Sequence, residues 1–444
     1  MATSRSGLWL GMAAVFGMAA GIVVARPPVV EFALPDHADV VDAATPELVI
    51  RFDQNMSPAG RSICGGGPTF PPMTGQPRWV TPRELRVPVQ LVPGVHYSLS
   101  INCPSARNFR SATGEPAEVY PISFRTLREG EVAPVLTPEQ AADMTRALRA
   151  AIDTRYSYRD VRNVDWPAAL DAAKLDEART PAEFARKAAV MLAANQDLHV
   201  TFEVDARRLA TARRSAAWNV DTAGLRALVP RWTDNGTVAV GRFDDGIGYI
   251  LIRTWAPPDP EHLRPVFDAI TELAGARAMV VDVRPNSGGD ESLARTVAAC
   301  FVAEPTVYSR SLIRNPDAPD GWEGPFDRVV EPGDGPKFHG KVAILIGPAC
   351  MSSNESFILM MRRAGVRETF GGKTWGSSGN PRPHDLGQGV RVFLPSWRDL
   401  LPDGSVLEGV GIAPDHAVEW RPGETDPVLD AALAWLRRVP EGAP

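Results

Sequence analysis

The hydrophobic and polar positions of this chain fall into three successive regimes. From residue 28 to about 128, short runs alternate apolar and polar side chains: ELVIRF (47–52), ELRVPVQL (84–91), HYSLSIN (96–102) and PISFRT (121–126). Pro, Gly and Asn separate them, which predicts the strands of an all-β domain. In HYSLSIN, Tyr97, Leu99 and Ile101 share one face at period two. Pro88 has no N–H to give to a ladder, so its strand is expected at a sheet edge.

From 135 to about 200 the period becomes helical. Thr137-Pro138-Glu139-Gln140 supplies an N-cap, a first-turn proline and a capping-box glutamine. Thr180-Pro181-Ala182-Glu183 repeats the device, and the helix it opens carries Phe184, Ala188, Met191 and Leu192 on one stripe, ending near Asn195. Residues 204 to 235 are rich in Arg and Ala and follow neither period. From 236 to 440 strands and helices alternate. TVAVGRF, the turn DDG and IGYILIRT form a predicted hairpin. A helix near 259–274, the strand AMVVDV, the loop RPNSGG and a helix through Phe301 follow. The strand KVAILI then enters GPACMSSNESF and a further helix. Continuous apolar strands between helices predict a buried, largely parallel sheet.

The composition is that of a globular chain, with 44% hydrophobic and 23% charged residues over 444 positions, enough for two or three domains. Net charge is −6 and no Lys/Arg block forms a basic stripe, which argues against nucleic acid as a partner. Residues 1–25 have the form of a targeting segment. Arg5 precedes an uncharged run from Leu8 to Ala25, and Val23-Val24-Ala25 resembles a small-residue cleavage site. A cleaved signal peptide is the expectation, with a membrane anchor over residues 8–25 as the alternative; either exports the remainder to the periplasm or beyond. Cys64 and Cys103 share the β-rich stretch, where a disulfide and two free thiols both stay open. Cys300 and Cys350 lack ligand spacing and are expected to be buried thiols, and no metal or cofactor motif is visible.

Two strand-to-helix turns carry the candidate chemistry. Each opens at the carboxyl end of the predicted sheet, where α/β proteins place ligands. Asn286-Ser287-Gly288-Gly289 lets main-chain N–H groups come close to a substrate. Met351-Ser352-Ser353-Asn354-Glu355 begins a helix, an end with partial positive charge and unpaired N–H groups. A serine there could attack a carbonyl while amides of both loops stabilise the oxyanion. The plain alternative is that Ser352 or Ser353 only caps the helix. A phosphate cradle is not supported, since neither GxGxxG nor GxxxxGK[ST] occurs.

MVVDVRPNSGGDES, VAILIGPACMSSNESFILMM, FGGKTWGSSG and LEGVGIAPDHAV occur in the order and spacing of the C-terminal-processing (tail-specific) serine peptidases, and the chain resembles that family over roughly residues 135–438. Upstream, TRYSYRDVRNVDWPAAL and QDLHVTF resemble its helical N-terminal part. The resemblance implies a core like those of crotonase and the Clp protease, a spiral of ββα units, after a helical subdomain at 135–200. The stretch 28–128 resembles the bacterial Ig-like domains of secreted proteins, and its partner is unknown. In the family the nucleophile stands three residues before a glutamate, which here makes it Ser352. Many members place a lysine base after Thr-x-Gly; the matching position here is Ser377. Lys373 lies four residues earlier, about 13 Å along an extended chain. The tricorn-like branch uses a histidine oriented by a glutamate, and His199 and Glu408 match them. That branch has a serine beside its histidine where this chain has Leu198.

The implied machinery is therefore Ser352 as nucleophile, His199 as base and Glu408 orienting the imidazole. Gly288, Gly289 and Ser353 N–H groups would form the oxyanion hole. His384 is the runner-up base. Trp255 is expected either in the core or along a substrate groove. Fewer than about 50 residues separate His199 from Gly248, too few for a PDZ module. The expected function is that of an exported serine peptidase acting on peptides or unfolded proteins. The alternatives are an inactive binding module, like the retinoid-binding modules that resemble the family, and an esterase or acyl-transferring enzyme with the same residues.

Overall fold

The computed structural model describes residues 27–36, 39–212, 218–421 and 425–438. The targeting segment at 1–25, His37 and part of the Arg/Ala-rich stretch lie outside the described residues. The chain forms two compact units that divide between Ala133 and Pro134.

The first unit is built from two four-stranded sheets. One contains Val30–Leu34, Glu47–Phe52, Glu84–Pro88 and Arg78–Thr81 in that spatial order; the other has Val40–Val41, Tyr120–Thr126, His96–Ile101 and Ile63–Cys64. The alternation read from sequence sets their inner faces. Leu48, Ile50 and Phe52 of one sheet and Tyr97, Leu99 and Ile101 of the other enter a single core. Cys64 and Cys103 are joined by a disulfide with a Cα–Cα distance of 6.2 Å. The expectation that Pro88 marks an edge fails: its strand lies inside the sheet, between Glu47–Phe52 and Arg78–Thr81. The reason is positional. Pro88 is the last residue of the strand, and what the ladder needs there is an acceptor, its carbonyl taking the Thr74 N–H at 3.1 Å.

The second unit opens with helix Pro138–Arg155, where Thr137 and Gln140 make both bonds of a capping box. Helix Pro181–Leu192 is capped by Thr180, which accepts the Glu183 N–H, while the Glu183 carboxylate reaches past the cap to Arg179 N–H. Its centre is a seven-stranded sheet. Five strands run parallel in the order Gly248–Ile252, Ala278–Asp282, Lys341–Ile346, Arg367–Gly371, His416–Ala417. Burial on both faces explains the near-continuous apolar runs of the first three. Ile250, Ile252, Val281 and Ile344 face one core with helices Arg264–Glu272, Glu291–Ala298 and Ser353–Arg362. Tyr249, Leu251, Val280 and Leu345 face another with helix Pro427–Arg437.

A separate four-stranded sheet bears directly on the site. It joins Arg207–Ala210, Thr201–Val204, Val390–Pro395 and Pro381–Gly387 in that order, pairing Thr201 with Phe393 and Pro381 with Pro395. Thr201–Val204 and Pro381–Gly387 flank the same strand, Val390–Pro395, and run parallel to each other, so the segments just before them, 197–200 and 374–380, start from the same end of the sheet. Sequence periodicity does not foresee this pairing, because the short strand 201–204 carries no mark of its partner.

Candidate active site

The two strand-to-helix turns follow Ala278–Asp282 and Lys341–Ile346, which are adjacent and parallel, so both loops emerge side by side. Polar side chains stitch them together. Asn354 Nδ2 donates to Val283 O and Asn286 O at 3.1 and 2.9 Å, and Trp255 Nε1 donates to Asn354 Oδ1 at 3.1 Å. Ser353 Oγ donates to Gly289 O at 3.0 Å. Trp255 is fully buried in the core against Phe357, so its place is in the packing and not along a groove. Gly289 has φ +140°, and a Cβ there would lie 2.3 Å from the Trp255 carbonyl carbon; only glycine fits.

Ser352 stands just before helix Ser353–Arg362 with φ 58° and ψ −135°, a backbone state costly for a side-chain-bearing residue. Its N–H donates to Ser377 O at 2.7 Å and, more weakly, to Glu355 Oε2 at 3.2 Å. Glu355 is fully buried and also accepts the Thr374 hydroxyl and the N–H groups of Gly376 and Ser377 at 2.5, 2.8 and 2.9 Å. Burial raises its carboxyl to about 7. These contacts tie the serine loop to the Thr374–Ser377 turn, which accounts for strain at Ser352 that no local interaction would sustain.

His199 Nε2 lies 3.0 Å from Ser352 Oγ. The side chain is 11% exposed. Burial lowers its pKa to about 4, so the imidazole is neutral at ordinary pH and able to take a proton. Nδ1 lies 3.0 Å from Ser377 Oγ. The expected Glu408–imidazole bond is absent among the described residues. Glu408 is buried, and its carboxylate accepts the Ser378 N–H at 3.0 Å instead. Burial, then the neighbouring Asp197 carboxylate, pushes Glu408 well above the usual carboxyl range. The acid nearest the ring is Asp197, with Oδ1 3.9 Å from Nδ1. Asp197 accepts the His199 main-chain N–H at 2.9 Å and the Tyr156 hydroxyl at 2.8 Å, and burial raises it to about 6.

Of the three expected oxyanion donors, Gly288 is otherwise engaged: its N–H donates to Asn286 Oδ1 at 2.8 Å. The main-chain N–H groups of Gly289 and Ser353 have no partner among the described residues. The runner-up base, His384, sits in strand Pro381–Gly387 opposite Val392 and makes no contact with Ser352. Lys373 is exposed. Cys300 and Cys350 are buried thiols. Among the described residues no group of three or more His, Cys, Asp or Glu is arranged to hold a metal ion. Asp197 and Ser377 are the groups that sequence reasoning did not use. A signal existed for each: Asp197 sits two residues before the histidine, and Ser377 occupies the post-glycine position where a lysine was sought.

The sequence profile of Peptidase family S41 matches residues 246–418. A "Probable CtpA-like serine protease" of Staphylococcus haemolyticus is 26% identical over 144 residues, covering 32% of this chain. The chain spans only 28% of the length of that relative. Among solved structures, a "putative peptidase" of Parabacteroides merdae superposes with TM-score 0.59 at 21% identity, over 68% of this chain and 98% of that one. The photosystem II D1 C-terminal processing protease covers 67% of this chain and 99% of its own at 15% identity, with TM-score 0.43.

Proposed function

We propose, from the match of the Peptidase family S41 profile over residues 246–418, that the chain is an exported serine peptidase with Ser352 as nucleophile and His199 as base. The observation that carries this is the 3.0 Å contact between His199 Nε2 and the hydroxyl of a serine held in a strained backbone state. His199 takes the Ser352 proton as Oγ attacks the peptide carbonyl, and the electron pair moves to the carbonyl oxygen. The N–H groups of Gly289 and Ser353 receive that oxyanion. The protonated imidazole then gives its proton to the leaving amine, and water repeats the sequence on the acyl-enzyme. Glu408 acts here as part of the buried acid layer beneath the site, together with Asp197, and not as a direct ring partner.

The substrates are peptides or unfolded proteins. Within this reading the second unit is a crotonase-like core with its helical subdomain, and the first an Ig-like module, supported by its two sheets closing on one core. Export is supported by the apolar run at 8–25 and by the Cys64–Cys103 disulfide. A fluorophosphonate probe tests the proposal. The full chain should be labelled at Ser352, and Ser352→Ala and His199→Ala should each abolish labelling and cleavage of an unfolded protein. An unlabelled wild-type chain would identify a binding module instead; labelling with turnover of esters only would identify an esterase.

A further inference from the structure

Resting on the hydrolase reading above, we propose that Ser377 is a positioning residue whose hydroxyl accepts the His199 Nδ1–H and so keeps Nε2 free to act as base toward Ser352. Three observations meet here. Ser377 Oγ lies 3.0 Å from Nδ1, and Ser377 is fully buried. Neither nearby acid is bonded to the ring, Asp197 standing 3.9 Å off and Glu408 held by Ser378 N–H. The Ser377 main chain is fixed without its hydroxyl, donating to Glu355 Oε2 at 2.9 Å and accepting Ser352 N–H at 2.7 Å. The same residue therefore locks the nucleophile through its carbonyl and the base through its side chain.

A hydroxyl can donate or accept, so the choice of tautomer comes from the surrounding charge. The Asp197 carboxylate lies on the Nδ1 side, which favours the proton there and favours the imidazolium once Nε2 has taken the Ser352 proton. The other ionisable groups around the ring are Glu355, which anchors Ser352 and Ser377, and Glu408, with Arg162 acting on both Asp197 and Glu408. Leu198, where the tricorn-like branch has a serine, offers no hydroxyl. In this chain the hydroxyl comes instead from the turn after Gly376.

Two readouts test the inference in the full chain. With ¹⁵N-histidine, the wild-type His199 shifts should report a protonated Nδ1, and Ser377→Ala should move them toward a tautomer mixture. Fluorophosphonate labelling of Ser377→Ala should slow by about 10–100-fold at saturating probe, a share of what a positioned base supplies. The half-saturating concentration and the melting temperature should hold, and Ser377→Thr should recover most of the rate. A wild-type ring protonated at Nε2, or a Ser377→Ala variant with unchanged shifts and rate, overturns the proposal. A wild-type chain inert to the probe overturns the hydrolase reading separately, while the ring shifts still judge Ser377.

Discussion

At the residue scale, the decisive groups are held in states that their own chemistry resists. Ser352 has a positive φ, and His199 is kept neutral by burial, its pKa lowered to about 4. The lowered value has two consequences with definite sign. The base is available above about pH 4, so kcat/KM, or the labelling rate, should reach its plateau by roughly pH 5 and not near 7. A limb near 6 or 7 would instead assign control to Asp197 or to Glu355, whose carboxyls are raised to about 6 and about 7. For stability, the unfolded chain takes up the histidine proton first. The His199 contribution is therefore intact above the ordinary value of 6.5 and lost as pH falls through about 4. Gly289→Ala places a Cβ 2.3 Å from the Trp255 main chain. Backbone strain there costs about 1–3 kcal/mol before any clash, and the displaced loop should cut labelling by at least about 100-fold, as loss of an oxyanion donor does. Labelling kinetics and a melting curve separate the two effects.

At the element scale, the site depends on how two sheets end. The parallel strands deliver the glycine and serine loops together, and the small antiparallel sheet delivers His199 and the Ser377 turn. A buried ion cluster holds the first of these ends. Arg284, fully buried, gives bonds of 2.7 Å to Asp282 and 2.6 Å to Asp426, the latter capping helix Pro427–Arg437 through Leu429 N–H. Burial opposes the guanidinium charge, and the two carboxylates outweigh it. Asp426→Ala removes both the cap and half of the charge partnership. It should destabilise the second unit by about 3–5 kcal/mol, the cost of leaving a buried charge uncompensated, measurable by urea unfolding. Replacing Asp426 with Asn should restore the cap but not the stability. The elements themselves were largely readable, since the caps at Thr137 and Thr180, the hairpin 238–252 and the strands 278–282 and 341–346 follow local pattern. Strand 84–88 was misplaced because a terminal proline and an edge proline look alike in sequence.

At the scale of the whole molecule, every proposed catalytic group lies in the unit that begins at Pro134, and the disulfide lies in the other. Replacing Cys64 and Cys103 by Ser opens a loop with a sequence separation of 39. The loss in the first unit should be about 4 kcal/mol from loop entropy, while Ser352 labelling should continue unchanged at temperatures where the second unit is folded. Differential scanning calorimetry with parallel labelling checks both halves of that expectation.

Local chemistry written into the chain determined the strands, the capped helices and the glycine and serine turns. Each depends on residues within a few positions of one another. Tertiary structure alone decided what meets His199: Ser352 at one nitrogen, and at the other a hydroxyl 178 residues away instead of the expected carboxylate. Such a choice turns on ångström differences in sheet register and on competing donors such as Ser378 N–H. Spacing along a sequence does not encode those distances.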